Sequence, residues 1–337
     1  MNPMNQPTKA KAATWFPNRM TGGHPMPSGV QVLGHKTLGR MVICQDLRTC
    51  AELMKSPFMA SVMRNGNGTC PSMESKVDSP KWRGLPKKMW KKSWGQACGS
   101  VYTAEPHFDE DTRKAVMKAL PQSVRLEMTT EWQFSDKAGG INLPRLFDCK
   151  QKFMRRMRTQ ENGVPVIGLG VNVSANANIN AEIAGIRGQV ATIAAKVLEN
   201  RGYMVEIYAI EAGGGAYRGS RSIEGMKVSR DNLCAVKIKS AGETFIESHV
   251  ANALSAWFFR TGFFQMIRLG DAENVDSGLG SAKTLKDEDC ENVALNLNLD
   301  SFTMLRYTPY NNDRSANIAN AVKSLVEDVL EKYPSTS

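Results

Sequence analysis

The residues best suited to chemistry lie in one short stretch, Lys81–Trp94, which reads KWRGLPKKMWKKSW. Six cations (Lys81, Arg83, Lys87, Lys88, Lys91, Lys92) are interleaved with Trp82, Trp90 and Trp94. If Pro86 opens a helix, Trp90 and Trp94 share one face a turn apart, and Lys87/Lys91 and Lys88/Lys92 form neighbouring stripes. Cations that track a phosphate backbone beside rings that stack on unpaired bases are what single-strand binding requires. Each stacked base contributes about 1–3 kcal/mol with little sequence preference. Two other readings of the same residues stay open. The tryptophans could anchor the segment in a core while the lysines face water, or the segment could lie on an anionic membrane, for which it is short.

A second basic cluster, Lys150, Lys152, Arg155, Arg156 and Arg158, extends the pattern; read as the start of a helix, it puts Arg155 and Arg158 on one side. A solvated linker helix would look the same. The glycine-rich stretch Glu211–Ser222, with Arg218 and Arg221, could cradle a phosphate through backbone N–H groups or could be a plain hairpin loop. It lacks the spacing of a nucleotide-binding loop. Gly168 and Gly170 have no third glycine at the dinucleotide-fingerprint offset. No H-E-x-x-H or G-x-S-x-G occurs, and His24, His35, His107 and His249 are far apart in sequence. Asp109-Glu110-Asp111 could ligate a metal but suits a solvated helix start. The expectation is a protein that is not an enzyme.

The elements that must position these residues divide at about residue 160. Residues 1–29, with five prolines and the pair Gly22-Gly23, suggest an extended arm. Residues 30–160 are expected to form a basic α+β domain. In it, strands are predicted at Val30–Leu33 and Met41–Cys44, a helix capped by Asp46, a loop at 64–80, and an alternating strand over Arg125–Phe134. Residues 161–337 carry the clearer pattern. The apolar run Val164–Val173 suits a strand buried on both faces. Ala181–Asn200 has an apolar stripe at helical spacing (Ile183, Ile186, Val190, Ile193, Val197), with Asn180 as N-cap and Gly202 as terminator. Strands are expected at Tyr203–Ile210, Leu233–Ile238 and Val293–Leu299, the last ending at Asp300. Helices are expected at Glu243–Phe259 and at the C-terminus, on the face Ile318, Val322, Leu325, Val326 and Val329. Strands alternating with helices imply a layered α/β sheet.

The buried strand, the oxygen-rich turn Asn172-Val173-Ser174-Ala175-Asn176, the amphipathic helix and the strand after Asn200-Arg201-Gly202-Tyr203 together resemble the opening of a von Willebrand factor A-like (Rossmann-like) domain. In that family Asp-x-Ser-x-Ser oxygens hold Mg2+ or Mn2+. The resemblance maps the ligands onto Asn172, Ser174 and Asn176, with Asp300 as the distant aspartate and Ser281 or Thr284 as candidates for the threonine. Asn172 stands where the family has aspartate, which keeps an oxygen but removes the charge a magnesium site relies on. The site is therefore expected to be degenerate, with polar caps at a strand-to-helix turn as the simpler expectation and no cofactor required.

Gly139–Arg158 (GGINLPRLFDCKQKFMRRMR), followed by the Val164 strand and Ile183–Gln189, is similar to an uncharacterised phage-encoded family with a basic part before an A-like domain. A looser likeness is to the early single-stranded-DNA-binding transcription factor of enquatrovirus-type phages. It implies a phage RNA polymerase or a replication protein as partner.

Composition agrees with soluble, folded protein: 42% of residues are hydrophobic and 23% charged over 337 residues. No apolar run reaches the roughly 20 residues of a membrane span, and Met1–Ala13 lacks the apolar core of a secretory signal. The seven cysteines are scattered, none in a C-x-x-C pair, which fits free thiols in a cytoplasm, that of the host cell if the chain is phage-encoded. The net charge of +10 is uneven: residues 1–160 hold 26 Lys+Arg against 12 Asp+Glu, and residues 161–337 hold 17 against 21. A basic half suggests a polyanion partner. The expectation is a single-stranded-DNA-binding protein acting in transcription or replication, without a membrane. The alternative is a protein-interaction or assembly module built on the A-like domain.

Overall fold

The computed structural model describes residues 28–35, 38–55, 166–174, 179–213, 232–261, 285–297 and 314–332. It also describes short segments at 16–17, 132–135, 140–141, 154–157, 220–223, 226–229 and 302–305, and residues 114 and 118.

The described strands are β1 (Phe16–Pro17), β2 (Val30–His35), β3 (Gly39–Cys44), β4 (Trp132–Ser135), β5 (Gly140–Ile141), β6 (Met154–Met157), β7 (Val166–Asn172), β8 (Met204–Gly213), β9 (Ser220–Ile223), β10 (Met226–Ser229), β11 (Asn232–Lys239) and β12 (Phe302–Leu305). The described helices are α1 (Leu47–Lys55), α2 (Ala181–Asn200), α3 (Glu247–Ala253), α4 (Ala256–Thr261), α5 (Asp287–Asn296) and α6 (Arg314–Lys332).

A seven-stranded mixed sheet has the order β1-β2-β3-β11-β8-β7-β12. β7 is parallel to β8 and to β12, β11 runs antiparallel to β8, and β3 is parallel to β11. Strand alternation sorts side chains onto two faces. Ile167, Leu169 and Val171 of β7, with Val205, Ile207 and Ala209 of β8, join one core with α1, α2, α3, α4 and α6. Tyr208, Ile210 and Ala212 of β8 join the other with Leu233, Ala235 and the α5 residues Cys290 and Val293. Helices on both faces of the sheet make an α/β fold, as the alternation of elements predicts.

α2 forms at its expected bounds. Asn180 has extended backbone and its Oδ1 accepts from Ile183 N at 2.9 Å, and Gly202 beyond the C-terminus sits at φ 91°, a conformation glycine adopts without strain. α1 likewise begins at Asp46, whose Oδ1 accepts from Thr49 N at 2.6 Å. Four elements differ from the sequence expectation. Phe16–Pro17, inside the expected arm, pairs with β2. Part of Lys150–Arg158, expected as a helix, is the strand β6, whose backbone groups are taken by ladders to β4 and β5 on its two sides; Arg155 is therefore on a strand, and Arg158 lies outside the described residues. Val293–Leu299, expected as a strand, lies largely in α5: the Asp289 carboxylate accepts from Lys286 N at 3.0 Å and so closes the helix start, and the following strand is β12. The single helix expected over Glu243–Phe259 is two, because Ser255 turns its N–H and hydroxyl back to Asn252 O at 3.1 and 2.6 Å.

The sheet also crosses the expected domain division. β2, β3 and α1 were assigned to the basic part ending at residue 160, yet β3 pairs with β11 over five residues, Arg40 to Cys44 against Asn232 to Val236. Leu38, Met41, Val42, Cys44, Leu47, Cys50 and Leu53 are buried. The physical reason is edge coverage: without β3, the outer edge of β11 would present unpaired backbone groups.

Candidate functional site

β7 is the strand at which connections switch sides. The chain passes from β7 through α2 to β8 on one flank, and β12 lies on the other. In open α/β sheets the crevice beyond the C-terminal ends of such strands is where ligands bind. The turn that follows β7 carries the oxygens the sequence singles out.

Asn172 and Ser174 are buried there, at 6% and 3% exposure. Asn172 Oδ1 accepts from Ser174 N at 3.0 Å, and Ser174 Oγ accepts from Ala212 N at 2.7 Å, which ties the turn to the end of β8. The half-buried Arg187, two turns into α2, donates to Asn172 O at 2.5 Å and to Ser174 O at 2.6 Å. Burial lowers its pKa to about 10, still far above neutrality. At the other end of the turn the buried Arg260 of α4 donates to Ile179 O at 2.7 Å, and burial lowers its pKa to about 10 against the pull of Glu211.

Glu211 lies in β8, directly opposite Cys234 of β11. It is 2% exposed, and its Oε2 has no hydrogen-bond partner among the described residues. Burial pushes its carboxyl well above the usual range, and the charge of Arg260 draws it back. Burial also pushes the Cys234 thiol up, with Cys44 and Glu211 adding to the effect.

This arrangement does not suit a magnesium ion at Asn172 and Ser174. Both oxygens are neutral, both already accept a hydrogen bond, and a guanidinium occupies the same turn, whereas magnesium sites rely on carboxylates. Asn176, Asp300, Ser281 and Thr284 lie outside the described residues. Among the described residues no group of three or more His, Cys, Asp or Glu side chains could hold a metal.

Of the expected nucleic-acid-binding residues, Lys81, Trp82, Arg83, Lys87, Lys88, Trp90, Lys91, Lys92, Trp94, Lys152 and Arg158 lie outside the described residues. So do Lys150, Arg218 and the acidic run 109–111. Arg155 and Arg156 are in β6. Its register with β4 sets Arg155 opposite Phe134, Arg156 opposite Gln133 and Met157 opposite Trp132.

At the other end of the sheet, the C-terminal ends of β3 and β11 border an open cavity of about 340 Å³ lined by Asp46, Leu47, Ile238, Glu243, Ile246 and His249, among others. Its two lysines are already paired: Lys239 with Glu199 at 2.5 Å, and Lys237 with Glu206 at 3.2 Å.

Sequence reasoning missed Arg187, Glu211 and Arg260. The signal was present: each is a charge inside an otherwise apolar segment (Ile186-Arg187-Gly188, Ile210-Glu211-Ala212, Phe258-Phe259-Arg260), and buried charges need partners.

A family model described as "Domain of unknown function (DUF7192)" matches residues 57–333. The chain belongs to the DUF7192 family. No curated protein and no solved structure matches it. The DUF7192 span begins after α1, so β2, β3 and α1 precede it in sequence while completing its sheet. Among the described residues, no helix is long and apolar enough to cross a membrane.

Proposed function

We propose that this DUF7192 protein binds single-stranded DNA through its basic first half and acts in phage transcription or replication, in the host cytoplasm, by bringing a polymerase or replication protein to the strand. The observation that carries the reading is the Lys81–Trp94 segment, six cations interleaved with three tryptophans, within a half that holds 26 basic against 12 acidic residues. The β4–β6 register supports it. Arg155 and Arg156 stand across from a strand bearing Trp132 and Phe134, so cations and aromatics recur together in a small antiparallel sheet. Sheets that carry aromatic residues are a recurrent platform for unpaired bases. The reading assigns the protein no catalytic role, no metal and no membrane.

The seven-stranded sheet is proposed to be von Willebrand factor A-like. In support, β11-β8-β7-β12 has the first strand of the C-terminal half at its switch point, with an antiparallel strand outside β8. The Arg187-filled turn favours a docking scaffold over a metal-dependent adhesion site. This supports a second reading, a protein-interaction or assembly module.

The test is a gel shift with single- and double-stranded oligonucleotides across a salt series, with and without magnesium. The proposal expects single-strand binding at low salt that falls steeply as salt is added through counterion release, and that is indifferent to magnesium. Absence of binding at low salt overturns it and leaves the interaction-module reading.

A further inference from the structure

We infer, resting on the single-strand reading above, that the face of the β4-β6-β5 sheet shared by Trp132, Phe134 and Arg155 is a second seat for an unpaired strand. Bases stack along β4, a phosphate sits at Arg155, and Arg156, on the opposite face, takes no part.

The register sorts the residues. Directly opposed residues of an antiparallel pair lie on the same face, and neighbours along a strand alternate. Trp132 is opposite Met157 and Phe134 is opposite Arg155, so these four share one face. Gly140 of β5 is opposite Arg155 on its other side and belongs to that face too. Gln133, Ser135, Met154, Arg156 and Ile141 fall on the other face. Two arginines adjacent in sequence are thereby separated: one shares a face with both aromatic residues, the other with neither.

The first face has the composition and the order that a single strand requires. Trp132 and Phe134 are two residues apart on one strand, a spacing of roughly 7 Å, which suits successive bases drawn out of a regular stack. β6 is the middle strand, so Arg155 is central, in a row that runs Phe134, Arg155, Gly140 across the sheet. Glycine at the end of that row has no side chain, and a glycine in a strand marks a place where another backbone can come close. The sugar-phosphate chain fits there, with its charge at Arg155 and its bases toward β4. Charge complementarity selects this occupant. The three strands, WQFS, GI and MRRM, hold two arginines and no acidic residue, and Lys150–Arg158 as a whole holds five cations and no anion. A cation at the centre of an aromatic face needs an opposing charge, and a polyanion brings one along with rings to stack.

The test uses the full-length protein with a single-stranded oligonucleotide carrying iododeoxyuridine, cross-linked by light and mapped by peptide mass spectrometry. Adducts are expected at Trp132 or Phe134, lost on competition with unlabelled strand. In parallel, a salt series is read for the parent, Arg155→Ala, Arg155→Lys and Arg156→Ala. Each phosphate contact on a single strand contributes about 0.7 to the slope of log K against log salt. Arg155→Ala should therefore flatten the slope by about 0.7, Arg155→Lys should restore it, and Arg156→Ala should leave it as in the parent. A parent that binds but cross-links only within Lys81–Trp94 overturns this seat and leaves the single-strand reading standing. So does an equal change of slope in Arg155→Ala and Arg156→Ala, or no change in either, which would give the face to the protein's interior or to a protein partner. A parent with neither adducts nor affinity at low salt removes both. If Arg155→Ala does not fold, the cross-link map of the parent decides.

Discussion

Lys239→Met isolates the most deeply buried ion pair of the described fold. The ammonium of Lys239 is 3% exposed and its three donors are all used, on Glu199 Oε1 at 2.5 Å, Val205 O at 3.0 Å and Ser240 O at 3.1 Å. Methionine has nearly the same length and no donor. It leaves the 9%-exposed Glu199 carboxylate without its cation and two carbonyls without a donor. Breaking a buried pair from one side costs about 3–5 kcal/mol, whereas removing both charges together is often close to neutral. Lys239→Met should therefore lose about 3–5 kcal/mol, and Lys239→Met with Glu199→Met should regain most of it. The deficit should depend on pH with a definite sign. Burial raises the Glu199 pKa, and Lys239, by hydrogen bond and charge, pulls it back. A carboxyl whose folded pKa is raised contributes stability that is full below its unfolded pKa and is lost as pH rises through the folded value. Without Lys239 the folded pKa climbs further, so the variant's deficit should be smallest in acid and grow toward neutral pH. Urea unfolding followed by circular dichroism at pH 5 and pH 8 measures both quantities. A single variant within about 1 kcal/mol of the parent at pH 8, or a double variant as unstable as the single, would refute the assignment.

Gly188→Ala should destabilise: a Cβ there would lie 2.6 Å from Leu254 O and 2.8 Å from Leu254 Cβ, so α2 and the end of α3 must separate. The expected cost is about 1–3 kcal/mol despite the better helix propensity of alanine, read by the urea midpoint; an unchanged midpoint would mean the close approach is absent. Arg187→Met removes two charge-assisted bonds to Asn172 O and Ser174 O and should cost about 2–4 kcal/mol. In the same thermal melts, millimolar magnesium should leave the parent's Tm unchanged, whereas a clear rise would place an ion where Arg187 is assigned the work. Glu211→Gln should flatten the fall of stability with rising pH, because it removes a carboxyl whose raised folded pKa makes stability decline as pH climbs through it. A urea midpoint that falls between pH 5 and pH 8 as steeply as the parent's would contradict that sign.

How much of this was legible in the sequence varies with how local each determinant is. α2 could be read directly, because its stripe, its Asn180 cap and the glycine at 202 all lie within one segment. β7, β8 and β11 were visible as apolar β-branched runs. α5 was misread because Val293-Ala294-Leu295-Asn296-Leu297 alternates as a strand would, while the determinants of the helix are the Asp289 bond at its start and the burial of Cys290 and Val293 at i, i+3. The placement of β3 beside β11 could not be read, since more than 190 residues of sequence separate Val42 from its partner Cys234 and no local signal names a parallel neighbour. The turn after β7 was found from its resemblance, but its chemistry was not. The sequence displays Asn172 and Ser174, whereas the groups that define the turn are Arg187 and Arg260, recruited from α2 and α4.

The central claim is tested most directly by the single-strand affinity of the full-length protein compared with Trp90→Ala/Trp94→Ala, by fluorescence anisotropy of a labelled oligonucleotide at fixed low salt. Two stacking rings at about 1–3 kcal/mol each predict a Kd raised roughly 30-fold or more in the double variant, with the urea midpoint of the fold unchanged. An equal Kd for the two proteins would contradict the stacking model, and a loss of binding accompanied by a loss of folded protein would assign the two tryptophans to the core instead.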